Sequence, residues 1–465
     1  MLTYNFDGIK GPLYKYLYEC IKNDIKCGNL KQNEKMPSKR NLAKNLGISI
    51  VTVENAYEQL MGEGYLYSLP KKGYYVADTS QMLFAPEKAR AAYHIHMPDP
   101  MSEEIYDFSS NQTDPQNFPF SVWAKVMRET LSMREKDLVK KSSSGGIDEL
   151  REAIAGHLSS FRGMNVDPDQ IIIGAGAEYL YGLLIKLLGK EKRYCLENPG
   201  YQKTYQIYKS NEVECVFADM DEQGISVDEL LRQEADIAHI SPTHHFPTGI
   251  TMPITRRYEL LTWAREEQGR YIVEDDYDSE FRLNGKPIPT LQSIDVDEKV
   301  IYMNTFSKSL ASTIRISYMV LPVHLANKYY ENLGFYSCTV SNFEQYALAT
   351  FIKEGHFEKH INRTRLYYVR KRQKTLDIIH ECFSGKQCSI IEKDSGLHFL
   401  LELHTDMEDK ELERKLMEQK VRLQPLADFY HVPREDNTHR FLVNYSGLDM
   451  DGLKEALLKV KRLVF

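Results

Sequence analysis

From residue 105 to about 330, strand-length apolar runs alternate with helix-length segments, and that alternation leaves few folds open. "QIIIGAG" leads into "AEYLYGLLIKLLG", "RYCLENPG" into "YQKTYQIYKS", and "ELLTWAREEQG" into "RYIVEDD". "ADIAHISPTHH" and "KVIYMNTFSK" are further apolar runs. Such a rhythm builds an α/β body around a mainly parallel sheet. Beyond about residue 330 come long helices, then "SGLHFLLEL", "VRLQPLADFY" and "HRFLVNYSGL", the pattern of a smaller α+β lobe. The expected body is 105–465, with a large lobe over about 105–330 and a small lobe over about 331–465.

The first 78 residues follow other rules. Pro12 suits the first turn of a helix over 12–28, with a stripe of Leu13, Tyr16, Leu17, Cys20, Ile21 and Ile25 and a stop at Gly28. "MPSKRNLAKNLG" reads as a short second helix between Ser38 and Gly47. A third helix opens at Ser49 and turns Val53, Ala56, Tyr57 and Leu60 inward. "YLYSLPKKGYYVA" is a hairpin turning at Pro70–Gly73, with Lys71 and Lys72 at its tip. Together these make a winged helix-turn-helix (α+β) over 1–78. Such a head lays the helix that starts near Ser49 in the major groove of double-stranded DNA. Ser49, Ile50, Thr52 and Asn55 are the candidates for base edges. Ser38, Lys39, Arg40, Lys44, Lys71 and Lys72 are the candidates for the phosphate backbone.

Charge supports this division. Residues 1–78 hold eleven Lys and Arg against eight Asp and Glu, or +3, so the remainder carries −10 of a total of −7. Screening hides the acidic body from a phosphate beyond ~10 Å. Residues 79–104 show no sustained period and read as a linker, with His94 and His96 in it. The 465 residues are too many for one ordinary core. No window approaches the ~20 apolar residues of a membrane span. The start lacks a basic region followed by an apolar one. Seven cysteines are scattered without a C-x-x-C pair, which points to reduced thiols and a cytoplasmic protein.

The chemistry gathers in two stretches. "YIVEDDYDSEFR" puts Asp275 at the end of an apolar strand, and "NTFSKSLASTIR" sets Lys308 among small hydroxyl residues. An acid at the carboxyl end of a buried strand lies in the ligand crevice of a parallel sheet. Buried there, it needs a cation, and a protonated pyridine nitrogen is one. A lysine can form a Schiff base with an aldehyde. Pyridoxal 5'-phosphate (PLP) asks for both. Thr305, Ser307, Arg315 and the turn Gly174–Ala177 offer donors for its phosphate. Against this stand plainer readings. A lysine after a strand is ordinarily a surface residue, and "EDDYD" alone also suits a hard divalent cation. His244–His245 has no third ligand at zinc spacing, so no metal site is expected.

The stretch from Lys35 to Ala77 resembles the DNA-binding domain of GntR-type regulators, through its Pro-Ser-x-Arg, Leu-Ala-x-x-Leu-Gly, Thr-Val-x-x-Ala-Tyr-x-x-Leu and Glu-Gly-Tyr. It departs at Ile50, where that family commonly has Arg. "ENPGY", "SPTHHFPTGITMP", "EDDYDSEFR" and "TFSKSLASTIRISYMVLP", in that order, resemble the fold-type I aminotransferase body. The two together are most similar to the MocR subfamily of GntR regulators. The resemblance implies PLP on Lys308, with Asp275 at the ring nitrogen, Tyr277 and His245 or its neighbour near the phenolic oxygen, and Tyr201 stacked on the ring. It implies Gly176, Ala177, Thr305, Ser307 and Arg315 at the phosphate. Lys203 and Arg440 are the candidates for an effector's carboxylate. Asp276, Asp278 and Glu280 are expected to be structural. Lys141 stands where relatives often have a Tyr contributed across a dimer. The implied molecule is a PLP-dependent transcriptional regulator, a head-to-tail homodimer that senses an amino compound or PLP. Its rival is an aminotransferase with an accessory DNA-binding head.

Overall fold

The computed structural model describes residues 2–6, 8–9, 11–79, 105–281, 288–391, 396–432 and 438–465. The chain divides into two units, Met1–Asp99 and Pro100–Phe465. The expected linker, with His94 and His96, lies outside the described residues from residue 80 onward.

Two serines fix where helices begin in the first unit. Ser38 Oγ accepts the Asn41 N–H at 3.2 Å and opens Lys39–Leu46. Ser49 Oγ accepts the Thr52 N–H at 3.1 Å and opens Ile50–Gly62. Each such cap is worth about 1 kcal/mol. Gly47, at φ +68°, ends the first of the two and turns the chain into the second. Strands β1 (Leu66–Leu69) and β2 (Gly73–Val76) pair antiparallel, Leu66 opposite Val76, and form the wing. Leu17, Ile21, Leu42, Val53, Ala56, Tyr57 and Leu60 are fully buried in one core. The first helix is Leu13–Lys26, so Pro12 precedes it rather than sitting inside it. Its buried face takes Tyr18, whose hydroxyl reaches Glu63 at 2.5 Å, and leaves Leu13 exposed.

In the second unit the strands are β3 (Tyr106–Asp107), β4 (Ile171–Gly174), β5 (Arg193–Asn198), β6 (Glu214–Asp221) and β7 (Gly224–Ile225). They continue with β8 (Ile237–Ile240), β9 (Tyr271–Asp275), β10 (Val300–Thr305) and β11 (Ser317–Val320). Eight form one sheet in the order β4-β11-β10-β9-β8-β5-β6-β7, and only β11 and the short β7 run against the rest. Helices Ala177–Leu188 and Val323–Leu333 pack with one face of this sheet. Helix Ile254–Glu266 packs with β8 and β9. Helices Asp148–Arg162 and Asn342–Lys353 build a further core with β4, β10 and β11. Burial on both faces explains why these strands read as continuous apolar runs.

The small lobe holds the antiparallel sheet β12 (Cys388–Ile391), β13 (His398–Leu403) and β15 (Arg440–Asn444). Strand β14 (Val421–Arg422) stays outside it and pairs with β3. That pairing corrects the expected lobe boundary. The start of the body, with Phe108, belongs to the small-lobe core. Val323–Leu333 and Asn342–Lys353 belong to the large lobe. Helix His356–Cys382 serves both, Phe357 and Ile361 in one core and Tyr368, Leu376 and Ile379 in the other.

Candidate functional site

The carboxyl ends of β4, β5, β8, β9 and β10 converge on one cavity. Asp275 is the last residue of β9, level with Met303 of β10. Its carboxylate accepts the Tyr181 hydroxyl at 2.5 Å and lies 3.5 Å from His239 Nε2. Nδ1 of His239 meets the Tyr208 hydroxyl at 2.7 Å, so a chain of polar groups backs the acid. Burial, and then the Asp275 charge, holds the Tyr181 phenol far above its ordinary pKa and keeps it a donor.

β10 ends at Thr305, whose Oγ1 accepts the Ser307 N–H at 3.1 Å and starts the single turn Phe306–Ser309. That turn presents Lys308 to the cavity. Burial lowers its pKa to about 8, with Asp278 pulling the other way. Its Nζ donates to the Asn111 carbonyl at 2.6 Å.

Gly176 does not itself line the cavity but packs on Arg315, which does: it has φ +93°, and a Cβ there would lie 2.5 Å from Arg315 Nη2. Only glycine allows this close approach of backbone and guanidinium. Ala177 opens the helix beside it, and Thr305, Ser307 and Arg315 line the same cavity. A carboxylate, a half-buried lysine and a cationic group at a helix N-terminus thus face one space. They suit a group that carries a protonated ring nitrogen, an aldehyde and a phosphate.

The walls correct part of the expected set. Tyr201 lines the cavity with its ring edge-on to Phe246 at 5.5 Å, and Tyr277 lines it too, half-buried, with its hydroxyl 3.3 Å from His244 Nδ1. His245 does not line the cavity. It packs behind the wall, its Nδ1 2.8 Å from Thr248 Oγ1 and its Nε2 3.5 Å from Glu197, and burial lowers its pKa to about 3. The loop after β8 gives the cavity face to its neighbour Phe246. Arg440 is also elsewhere, paired with Glu402 at 3.0 Å across β13 and β15. Lys203 lines the cavity and is ion-paired with Glu178, which also faces Arg315 at 3.4 Å. Asp276 is buried against Arg162 and the Tyr302 hydroxyl, Asp278 against His244 at 2.8 Å, and none of Asp276, Asp278 and Glu280 faces the cavity. Lys141 is exposed.

Tyr181, His239, Asn111 and His431 were not legible as site residues. They reach the cavity from separate elements, and no local pattern joins them to the lysine or the acid. His431 stacks on Phe217 at 4.6 Å. Neither ring nitrogen has a hydrogen-bond partner among the described residues, and burial lowers its pKa to about 4.

On the first unit, Arg40, Lys44, Ser49, Ile50, Asn55, Lys71 and Lys72 are exposed. Thr52 is half-buried, with its hydroxyl 2.8 Å from Ser49 Oγ. Ser38 is occupied as a cap, and Lys39 pairs with Glu54 at 2.6 Å.

Comparison with known proteins agrees with both units. Residues 13–76 match the model of the bacterial regulatory proteins of the gntR family, and residues 103–460 match aminotransferase class I and II. The uncharacterized HTH-type transcriptional regulator YdeL of Bacillus subtilis is 37% identical over 97% of this chain and 96% of its own. The probable rhizopine catabolism regulatory protein MocR of Rhizobium meliloti is 30% identical over 96% of this chain and 92% of its own. The kynurenine aminotransferase structure of Pyrococcus horikoshii shares the body's fold, with a TM-score of 0.69 at 22% identity over 83% of this chain and 99% of that one. The chain belongs to the MocR-type subfamily of the GntR regulators, a winged helix-turn-helix joined to an aminotransferase class I and II body whose cofactor is pyridoxal 5'-phosphate.

Proposed function

We propose that this protein is a DNA-binding transcriptional regulator whose body senses a small amino compound, or PLP itself, at Lys308. The observation that carries the reading is the half-buried Lys308 facing the same cavity as Asp275 and Arg315, the last packed on Gly176, in a chain that begins with a winged helix-turn-helix. When bound, PLP supplies an aldehyde that condenses with primary amines and a pyridine ring that draws electrons from them. Asp275 would hold the ring-nitrogen proton, oriented by Tyr181 and His239. Arg315, Thr305, Ser307 and the N–H groups at Gly176–Ala177 would hold the phosphate. Tyr201 would cover the ring, and Tyr277 would stand at its phenolic edge.

Lys308 would be the group that an incoming amine displaces. The Asn111 carbonyl is placed to receive its ammonium. Asn111 also touches the small lobe, its Oδ1 accepting from Asn444 Nδ2 at 2.9 Å. Release of Lys308 therefore loads the segment that begins the body. Within this proposal fall the domain limits 1–78, 79–104 and 105–465, a head-to-tail homodimer, a cytoplasmic location, and regulation without physiological turnover. Met133, Val139 and Phe335 are strongly exposed apolar residues on the body, which suits a dimer.

The test is borohydride reduction of the purified, PLP-loaded protein, followed by peptide mapping. The expected result is one peptide containing Lys308 with the cofactor covalently attached. Protein that takes up no PLP overturns the body's assignment. Steady release of keto acids from amino acids would favour the aminotransferase instead.

A further inference from the structure

The helix Ile50–Gly62 begins with two exposed apolar side chains. Ile50 is 47% exposed and Val51 61%. The start of this helix is pinned, because Ser49 Oγ accepts the Thr52 N–H and also lies 2.8 Å from Thr52 Oγ1. Thr52 is thereby half-buried and engaged, and Ile50 and Val51 are left outermost on the first turn. Asn55, one turn beyond Val51 on the same face, is exposed as well. Arg40, Lys44, Lys71 and Lys72 are exposed on the same unit, whereas Glu54 is held by Lys39. In the major groove the apolar group that a base edge offers is the 5-methyl of thymine, and an asparagine pairs in bidentate fashion with adenine.

We propose that Ile50 and Val51 read thymine methyl groups, so that each operator half-site carries A·T pairs under the first turn of this helix. The inference rests on the major-groove docking of the head given above, in which the exposed cations hold phosphates and seat an apolar turn on an acidic duplex.

Full-length protein is used to select duplexes from a random pool at one salt concentration. The recovered half-site is expected to contain thymines whose replacement by deoxyuridine, which lacks only the methyl, weakens binding about fourfold each. In the double variant I50A/V51A that penalty disappears, while the dependence of affinity on salt stays as in the wild type. A G·C-only half-site, a wild type indifferent to deoxyuridine, or a penalty undiminished in the double variant overturns methyl reading and leaves DNA binding standing. No enrichment of any sequence overturns the head's role and this proposal with it.

Discussion

Lys308 works because its surroundings desolvate its amine. An amine attacks an aldehyde only when neutral, and an ordinary lysine reaches half-neutrality near its usual pKa of 10.5. Burial brings that point down to about 8 here. The neutral fraction rises with pH, so the rate at which cofactor-free protein captures PLP should climb through about pH 8 and level off about one unit above. A stopped-flow absorbance series checks this, and a rate still climbing at pH 10 would show an unshifted lysine. The cradle is as specific. Gly176→Ala places a methyl against the Arg315 guanidinium at a φ that side chains avoid. PLP affinity should fall at least tenfold, or about 1.4 kcal/mol, by spectroscopic titration; unchanged affinity would remove Arg315 from the phosphate end. Lys308, Asp275 and Arg315 were legible because each sits in a short local pattern. Tyr181 and His239 were not, because sheet order alone brings Tyr181 to Asp275 across 94 residues. His245 was misplaced for a related reason. Phe246 lines the cavity, whereas the His245 ring is engaged by Thr248 Oγ1 at 2.8 Å.

At the scale of elements, the buried parallel strands were plain from their apolar runs, and the head's helices from Ser38, Gly47 and Ser49. The two-residue strands β3 and β14 were not, since neither is long enough to show a period, and with them went the true lobe boundary. Strand β6, "ECVFADMD", was hidden by its mixed polarity. The elements are locked by buried polar pairs as well as by apolar packing. Arg162, at the end of its helix, meets Asp276 just past β9, and both side chains are almost fully buried. Asp276→Asn leaves the guanidinium without its counter-charge in a dry site. Such a loss typically costs about 3–5 kcal/mol, read as a lower midpoint of chemical denaturation of the body. A change below about 1 kcal/mol would show that Arg162 finds another partner.

In the molecule as a whole, one chemical event would couple the two units. An amine that displaces Lys308 changes a contact, Lys308 to Asn111, in the segment that begins the body. A ligand shifts an equilibrium only through contacts that differ between its two states, and on the proposed function this would be such a contact. A coupling of about 1–3 kcal/mol would change operator affinity about 5–150-fold. The direct measurement is an operator titration of PLP-loaded wild type and of Lys308→Ala, each with and without candidate amines. Lys308→Ala should fold and bind the operator, while only the wild type changes affinity when the amine is added. An equal response in the two proteins would contradict the claim that Lys308 is the sensor.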